Sequence, residues 1–92
     1  MAALLRFIWD SAKAEANRKK HGVSFDEATS VFTDAHLHMY QDQVHPERFV
    51  AIGYSEIARL LVVVHIEEDE EIRLISARKA TPHERKIYAD QA

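Results

Sequence analysis

The chain has 92 residues, 47% of them hydrophobic and 29% charged, with two glycines, two prolines and no cysteine. That length holds one core, so a single domain over 1–92 is expected, and the composition is that of a folded globule rather than a disordered tail. Without cysteine there is no disulfide, no thiolate metal site and no thiol nucleophile, which fits a reducing cytoplasm as the expected compartment.

The net charge of −3 conceals a segregation. Five acids run consecutively from Glu67 to Glu71, and removing their five charges turns −3 into +2. Residues 13–21 carry Lys13, Arg18, Lys19 and Lys20 against Glu15 alone, and residues 72–88 carry Arg73, Arg78, Lys79, Arg85 and Lys86 against Glu84 alone. Two such basic segments can bind phosphates if they meet, or can be ordinary solvated helix ends if they do not. The longest aliphatic run, Leu60 to Val64, is far short of the roughly 20 residues of a membrane helix. The N-terminal stretch lacks the long apolar core of a secretion signal.

In chain order, Leu4 to Ile8 can form a short edge strand. Asp10 offers an N-cap to an alanine-rich helix over Ala12–Lys20, whose last turn carries Arg18, Lys19 and Lys20 where the helix dipole favours cations. Gly22 supplies a left-handed stop. Ser24 and Glu27 have capping-box spacing, and Phe25, Ala28, Val31 and Phe32 repeat on one helical stripe. His36, His38 and Tyr40 then alternate with Leu37, Met39 and Gln41, as in a half-buried strand. Arg48–Ser55 is a second strand; Arg59–Ile66 and Glu71–Arg78 flank the acidic run as a long hairpin. Both faces of Leu60–Val64 are apolar, which puts that strand centrally in the sheet, covered on both sides. Thr81-Pro82-His83-Glu84 opens a last helix to about Ala89, with Ala80, Ile87 and Tyr88 toward the body and Arg85 and Lys86 outward. The expected fold is α+β: two N-terminal helices, a four-stranded antiparallel sheet and a C-terminal helix.

No phosphate loop, dinucleotide fingerprint, zinc-protease motif or nucleophile elbow is present. His36 and His38, with Asp42 and His45 nearby, are a weak metal signal that lacks a fixed third ligand, so no metal site and no cofactor are expected. Acid–base and electrostatic catalysis on a phosphodiester remains. It needs a group to take the 2′-hydroxyl proton, cations for the developing charge and an acid for the leaving oxygen. His65 is a candidate proton carrier, and a hydrogen-bonded core histidine is its structural alternative. Arg73 and Arg78 can hold phosphate by paired donors. An even hairpin loop puts His65 on a face with Leu74, Ser76 and Arg78; an odd one puts it with Arg73. A helix-turn-helix reading of the first two helices is disfavoured, because the second carries acids and no cation.

"WDSAKAEANRKKHGVSFDEATSVFTD", "ERFVAIGYS", "RLLVVVH" and "IRLISARKATPHERKIY" together resemble the BrnT toxin family, from Phe7 to Tyr88. The resemblance implies a RelE-like fold and a metal-independent endoribonuclease that cuts mRNA and arrests growth. It also implies a ribbon-helix-helix antitoxin, BrnA-like, that silences the toxin and carries the complex to operator DNA. His65, Arg73, Arg78 and Glu84 are then the catalytic candidates, with Lys19, Lys20, His21, Arg85, Lys86 and Tyr88 for RNA. Where relatives often show Asp-Pro and Gly-Arg, this chain has Asp34-Ala35 and Ala58-Arg59. Where they commonly carry a basic residue and a glycine at the hairpin tip, it has Glu67-Glu68-Asp69-Glu70. Acids there repel phosphate, so the alternative is a catalytically weak or inactive binding module that sequesters an antitoxin and acts as its co-repressor.

Overall fold

A computed structural model describes residues 6–91. Its elements are β1 (Arg6–Ile8), α1 (Ser11–His21), α2 (Phe25–Thr29), a 3-10 turn (Ser30–Thr33), β2 (His38–Gln41), β3 (Phe49–Tyr54), β4 (Leu60–Glu68), β5 (Glu71–Lys79) and α3 (Pro82–Asp90). The five strands form one mixed sheet in the order β1-β5-β4-β3-β2. The expected four-stranded antiparallel sheet is thus one strand short, since Arg6–Ile8 pairs in parallel with Glu71–Arg73. Leu4 and Leu5 of the expected edge strand lie outside the described residues.

β4 occupies the centre because both of its faces are apolar. Leu61 and Val63 point with Ala51, Leu74 and Ala77 into a core closed by Val23, Phe25, Ala28 and Val31 of the α1–α2 segment. Leu60 and Val62 point the other way, with Val50 and Ile52, beneath Ala80, Ile87 and Tyr88 around α3. One layer of helix lies on each face of the sheet.

The expected caps form. Asp10 Oδ1 accepts from Lys13 N at 2.9 Å, and Gly22 (φ 70°) ends α1 with its N–H on Arg18 O at 2.8 Å. Thr81 and Glu84 complete a reciprocal capping box on α3. Ser24 Oγ accepts from Glu27 N at 3.0 Å, but the Glu27 carboxylate turns away to Arg59 and Ser55. The second helix is one α-turn that tightens into a 3-10 turn. Its hydroxyls donate to backbone carbonyls three residues back: Thr29 to Asp26 O, Ser30 to Glu27 O and Thr33 to Ser30 O. Such bonds compete with the helix ladder. So short a helix, with Phe25 and Ala28 buried, does not have the form of a recognition helix.

Three polar pins hold the layers in register. Asn17, buried on α1, donates Nδ2 to Ala77 O at 2.9 Å and accepts from Ala77 N at 3.1 Å, so its amide stands in for a neighbouring strand beside β5. It also donates to Val23 O at 3.0 Å. Glu27 holds Arg59 by paired donors and Ser55 Oγ at 2.7 Å. Asp34 Oδ2 accepts from Tyr54 N at 2.8 Å and from the Tyr88 hydroxyl at 2.6 Å, tying α3 to the end of β3. Replacing Asn17 by alanine strands an N–H and a C=O of buried Ala77, at a cost of about 2 kcal/mol. Thermal denaturation of Asn17→Ala should therefore show Tm lowered by roughly 10 °C.

Candidate nucleic-acid interface

The hairpin loop is even, with Asp69 and Glu70 between the paired Glu68 and Glu71. His65 faces Leu74 as the even-loop alternative requires. The register then slips: Val64 faces Ser76, leaving Ile75 as an extra residue on β5. This bulge inverts everything beyond it. Ser76 and Arg78 move to the α3 face, where Arg73 already lies opposite Ile66, and His65 stays on the other face.

Neither arginine is therefore a neighbour of His65 on its face, which corrects the expectation that one would be. His65 is wholly buried, edge-on to Phe32 (centroids 5.0 Å) and stacked on Phe49 (6.1 Å). Its Nε2 meets Glu67 Oε2 at 3.1 Å. No substrate atom reaches a ring so enclosed, and the core-histidine alternative is the one the packing supports.

On the α3 face, side chains fall into rows across the strands. His38, Ile52, Val62 and Arg78 make one row; Tyr40, Val50, Val64 and Ser76 make the next. α3 packs on Leu60 and Val62, while Val64, Ile66 and Ser76 stay partly open and Tyr40 and Arg73 are exposed. Arg78 Nη1 and Nη2 donate to the two Glu84 oxygens at 2.7 and 2.8 Å, and Nη1 also reaches Lys79 O at 3.3 Å. Among the described residues nothing takes the Nε–H and the outer Nη2–H. That edge of the fork is the one that grips a phosphate side-on. The guanidinium holds Glu84 down to about 2, outweighing burial, while Glu84 in turn also accepts from Thr81 N at 2.9 Å. Glu84 is thus a fixed anion that orients Arg78, and it has no proton to give near neutrality.

The remaining candidates divide. Lys20 and His21 line a groove with Lys13, Asn17, Ile75 and Ser76, so the α1 cations reach β5 at its bulge, beside the arginine-bearing face. Lys19, Arg85 and Lys86 are exposed, and Lys86 pairs with Asp90 at 3.4 Å. Tyr88 is architectural. Its ring is edge-on to Tyr54, and burial together with its hydrogen bond to Asp34 pushes the phenol up to about 12. His36 precedes β2, its N–H held by Asp34 Oδ1 at 2.9 Å, while His38 on β2 meets Gln91 at 3.1 Å. The two imidazoles do not share a strand face, which removes the geometric basis of the metal reading. Tyr40 and Ser76 were not among the expected site residues. Their place on this face follows from cross-strand register and the bulge, neither of which local spacing reveals.

These features define a class: a small α+β domain with a partly open sheet face that carries Arg73, Ser76 and an Arg78 fixed by Glu84. The family model described as "Ribonuclease toxin, BrnT, of type II toxin-antitoxin system" matches residues 9–84. The chain belongs to that family. Among solved structures, the Brucella abortus ribonuclease toxin BrnT superposes with a TM-score of 0.70 at 22% identity, over 85% of this chain and 99% of that one. Its likeness carries the fold. No curated protein matches the chain. None of the described helices is long and apolar enough to cross a membrane.

The Arg78–Glu84 pair has a signature in acid. A carboxyl held near 2 against an ordinary 4.5 stabilises the fold fully above 4.5 and loses that contribution as pH falls toward 2. Over that range, Tm of Glu84→Gln should fall less steeply than Tm of the parent chain. Parallel curves would show that the pair does not set the acid limb.

Proposed function

We propose that this chain is an endoribonuclease toxin that works without a metal ion, cutting mRNA by attack of the 2′-hydroxyl on the adjacent phosphodiester. The observation that carries the reading is Arg78, clamped by Glu84 with its Nε–Nη2 edge free on the same sheet face as Arg73. In the reaction O2′–P forms as P–O5′ breaks; the hydroxyl loses its proton to solvent water and the leaving 5′-oxygen takes one from water, since neither His65 nor Glu84 can exchange it. Negative charge grows on the non-bridging oxygens, where fixed guanidinium donors stabilise it most effectively because they need no reorganisation. Arg78, fixed by Glu84, supplies those donors, the exposed Arg73 adds its charge, and Glu84 is a positioning residue. Lys20 extends the cationic track around the β5 bulge with His21 beside it, and Lys19, Arg85 and Lys86 are outer contacts. A ribbon-helix-helix protein is the proposed antitoxin, and it alone brings the pair to operator DNA.

A specific observation favours the weaker alternative, a module that mainly sequesters its antitoxin. On Arg73's own face the next cross-strand pair toward the tip is Glu68–Glu71. Two residues of strand span about 7 Å, within the screening length of ordinary salt, about 10 Å. The acidic tip thus weakens Arg73 as a phosphate ligand far more than Arg78.

Expression of the chain without its partner should arrest growth and degrade mRNA, and co-expression of the antitoxin should restore both. In vitro, Arg78→Ala should lower cleavage by about 100-fold, and Arg78→Lys should not rescue it, because a lysine lacks the paired fork. Glu68→Lys should raise cleavage at low salt. His65→Gln should act on Tm rather than on rate. Intact RNA with the free chain, together with tight antitoxin binding, would establish the sequestering module instead.

A further inference from the structure

Tyr40 stands out on the open face. It is a large aromatic 41% exposed, on the edge strand β2, at the opposite side of this face from the arginines of β5. Its row runs over Val50 and Val64 to Ser76, so the floor between Tyr40 and β5 is aliphatic. Three strand spacings, roughly 14 Å, separate its backbone from that of Ser76, and Arg78 and Glu84 reach inward from the far side. The phenol is close enough to that pair to feel both charges: burial and the Glu84 carboxylate raise its pKa, while Arg78 lowers it. His38, two residues earlier on the same face, lies with its ring centroid 5.7 Å from that of Tyr40 and is held by Gln91 at the end of α3. The aromatic wall is therefore braced from one side and open on the other.

An aliphatic floor with an aromatic wall opposite a guanidinium fits a flat, neutral ring attached to an anion. A nucleobase joined to its phosphate is such a group. A base inside a duplex is stacked on both sides and cannot present its face to a side chain; an unpaired base can.

We propose that Tyr40 is a specificity-determining residue that stacks one unpaired base beside the phosphate held by Arg78, restricting the substrate to single-stranded RNA. This rests on the ribonuclease reading and adds the substrate class and the residue that selects it. Tyr40 touches no reacting atom in this scheme. Its contribution goes to binding, so KM rises on its removal while kcat at saturating RNA stays near that of the parent.

The test uses the full chain and a short single-stranded RNA, 2′-O-methylated to prevent cleavage, beside the same strand annealed to its complement. The unmodified strand reports cleavage. The parent should prefer the single strand. Tyr40→Leu, which keeps apolar bulk but has no π-face, should lose about tenfold in affinity for it, whereas Tyr40→Phe and Tyr40→Trp should stay within about twofold. On the duplex all four proteins should bind alike, and their Tm values should agree within a few degrees because Tyr40 is on the surface. Unchanged single-strand affinity in Tyr40→Leu, with cleavage by the parent intact, overturns the stacking role and leaves the nuclease reading standing. Equal loss in Tyr40→Phe and Tyr40→Leu also overturns it, by implicating the hydroxyl. A parent chain that neither binds nor cuts the RNA removes both readings. Loss of antitoxin affinity alone in Tyr40→Leu would reassign this face to the protein partner.

Discussion

The constraint on which the rest depends is the two-sided apolarity of β4. A strand whose Leu60 and Val62 face one way, and whose Leu61 and Val63 face the other, is stable only with a layer on each side. The α1–α2 segment supplies one layer and α3 the other. The layers are unequal. The N-terminal side contributes buried Val23, Phe25, Ala28 and Val31, whereas α3 is nine residues long with none of its own fully buried. The sheet face that α3 cannot fully cover is where side chains remain accessible to a ligand. The candidate site is thus a by-product of how little one helix can hide.

The bulge at Ile75 determines which side chains populate that face. Without it, alternation along β5 would send Ser76 and Arg78 into the interior with Leu74 and His65. An unpaired arginine there costs several kcal/mol. With it, the buried run Ile72–Leu74–Ala77 continues uninterrupted on the core face, and Arg73, Ser76 and Arg78 share the other. One inserted residue therefore keeps the core apolar and gathers the cations. Asn17 complements this device: just past the bulge, its amide satisfies the edge of β5 at Ala77, where β1 no longer runs alongside.

Legibility in the sequence followed interaction range. Asp10, Gly22, Ser24 and Thr81 act within a few residues, and all cap as their spacing implies. The central place of β4 was legible because five consecutive aliphatics admit no other environment. The parallel pairing of β1, the Asn17 pin across 60 residues and the Glu27–Arg59 pair across 32 were not, since nothing local distinguishes such residues from surface ones. Glu27 shows the difficulty: one residue satisfies a local capping pattern through its N–H while its carboxylate serves a distant arginine. Of the site, Arg73, Arg78 and Glu84 were legible as residue types, but their face was not. Parity arguments assume an unbroken ladder, and a single bulge defeats them. His65 carried its own warning in the alternation Leu61, Val63, His65, which points the imidazole into the same layer as two core aliphatics.

Charge along the hairpin gives the face a direction. From the tip inward on the α3 side, β5 presents Glu71, paired with Arg6 at 3.5 Å, then Arg73, Ser76 and Arg78, so acids give way to arginines over a few residues. On the proposed ribonuclease reading, an RNA strand lying along the hairpin would be repelled at the tip and held near the start of α3, where Arg78 is already clamped. The donors of Lys20 and His21, reaching β5 around the bulge, lie off the hairpin axis. An RNA that used both sets would therefore cross the sheet rather than follow the hairpin. That path runs over Val64 and Val50 toward Tyr40, away from the acids. On that reading the acidic tip would act on path as well as on strength, steering a polyanion across the strands instead of along them.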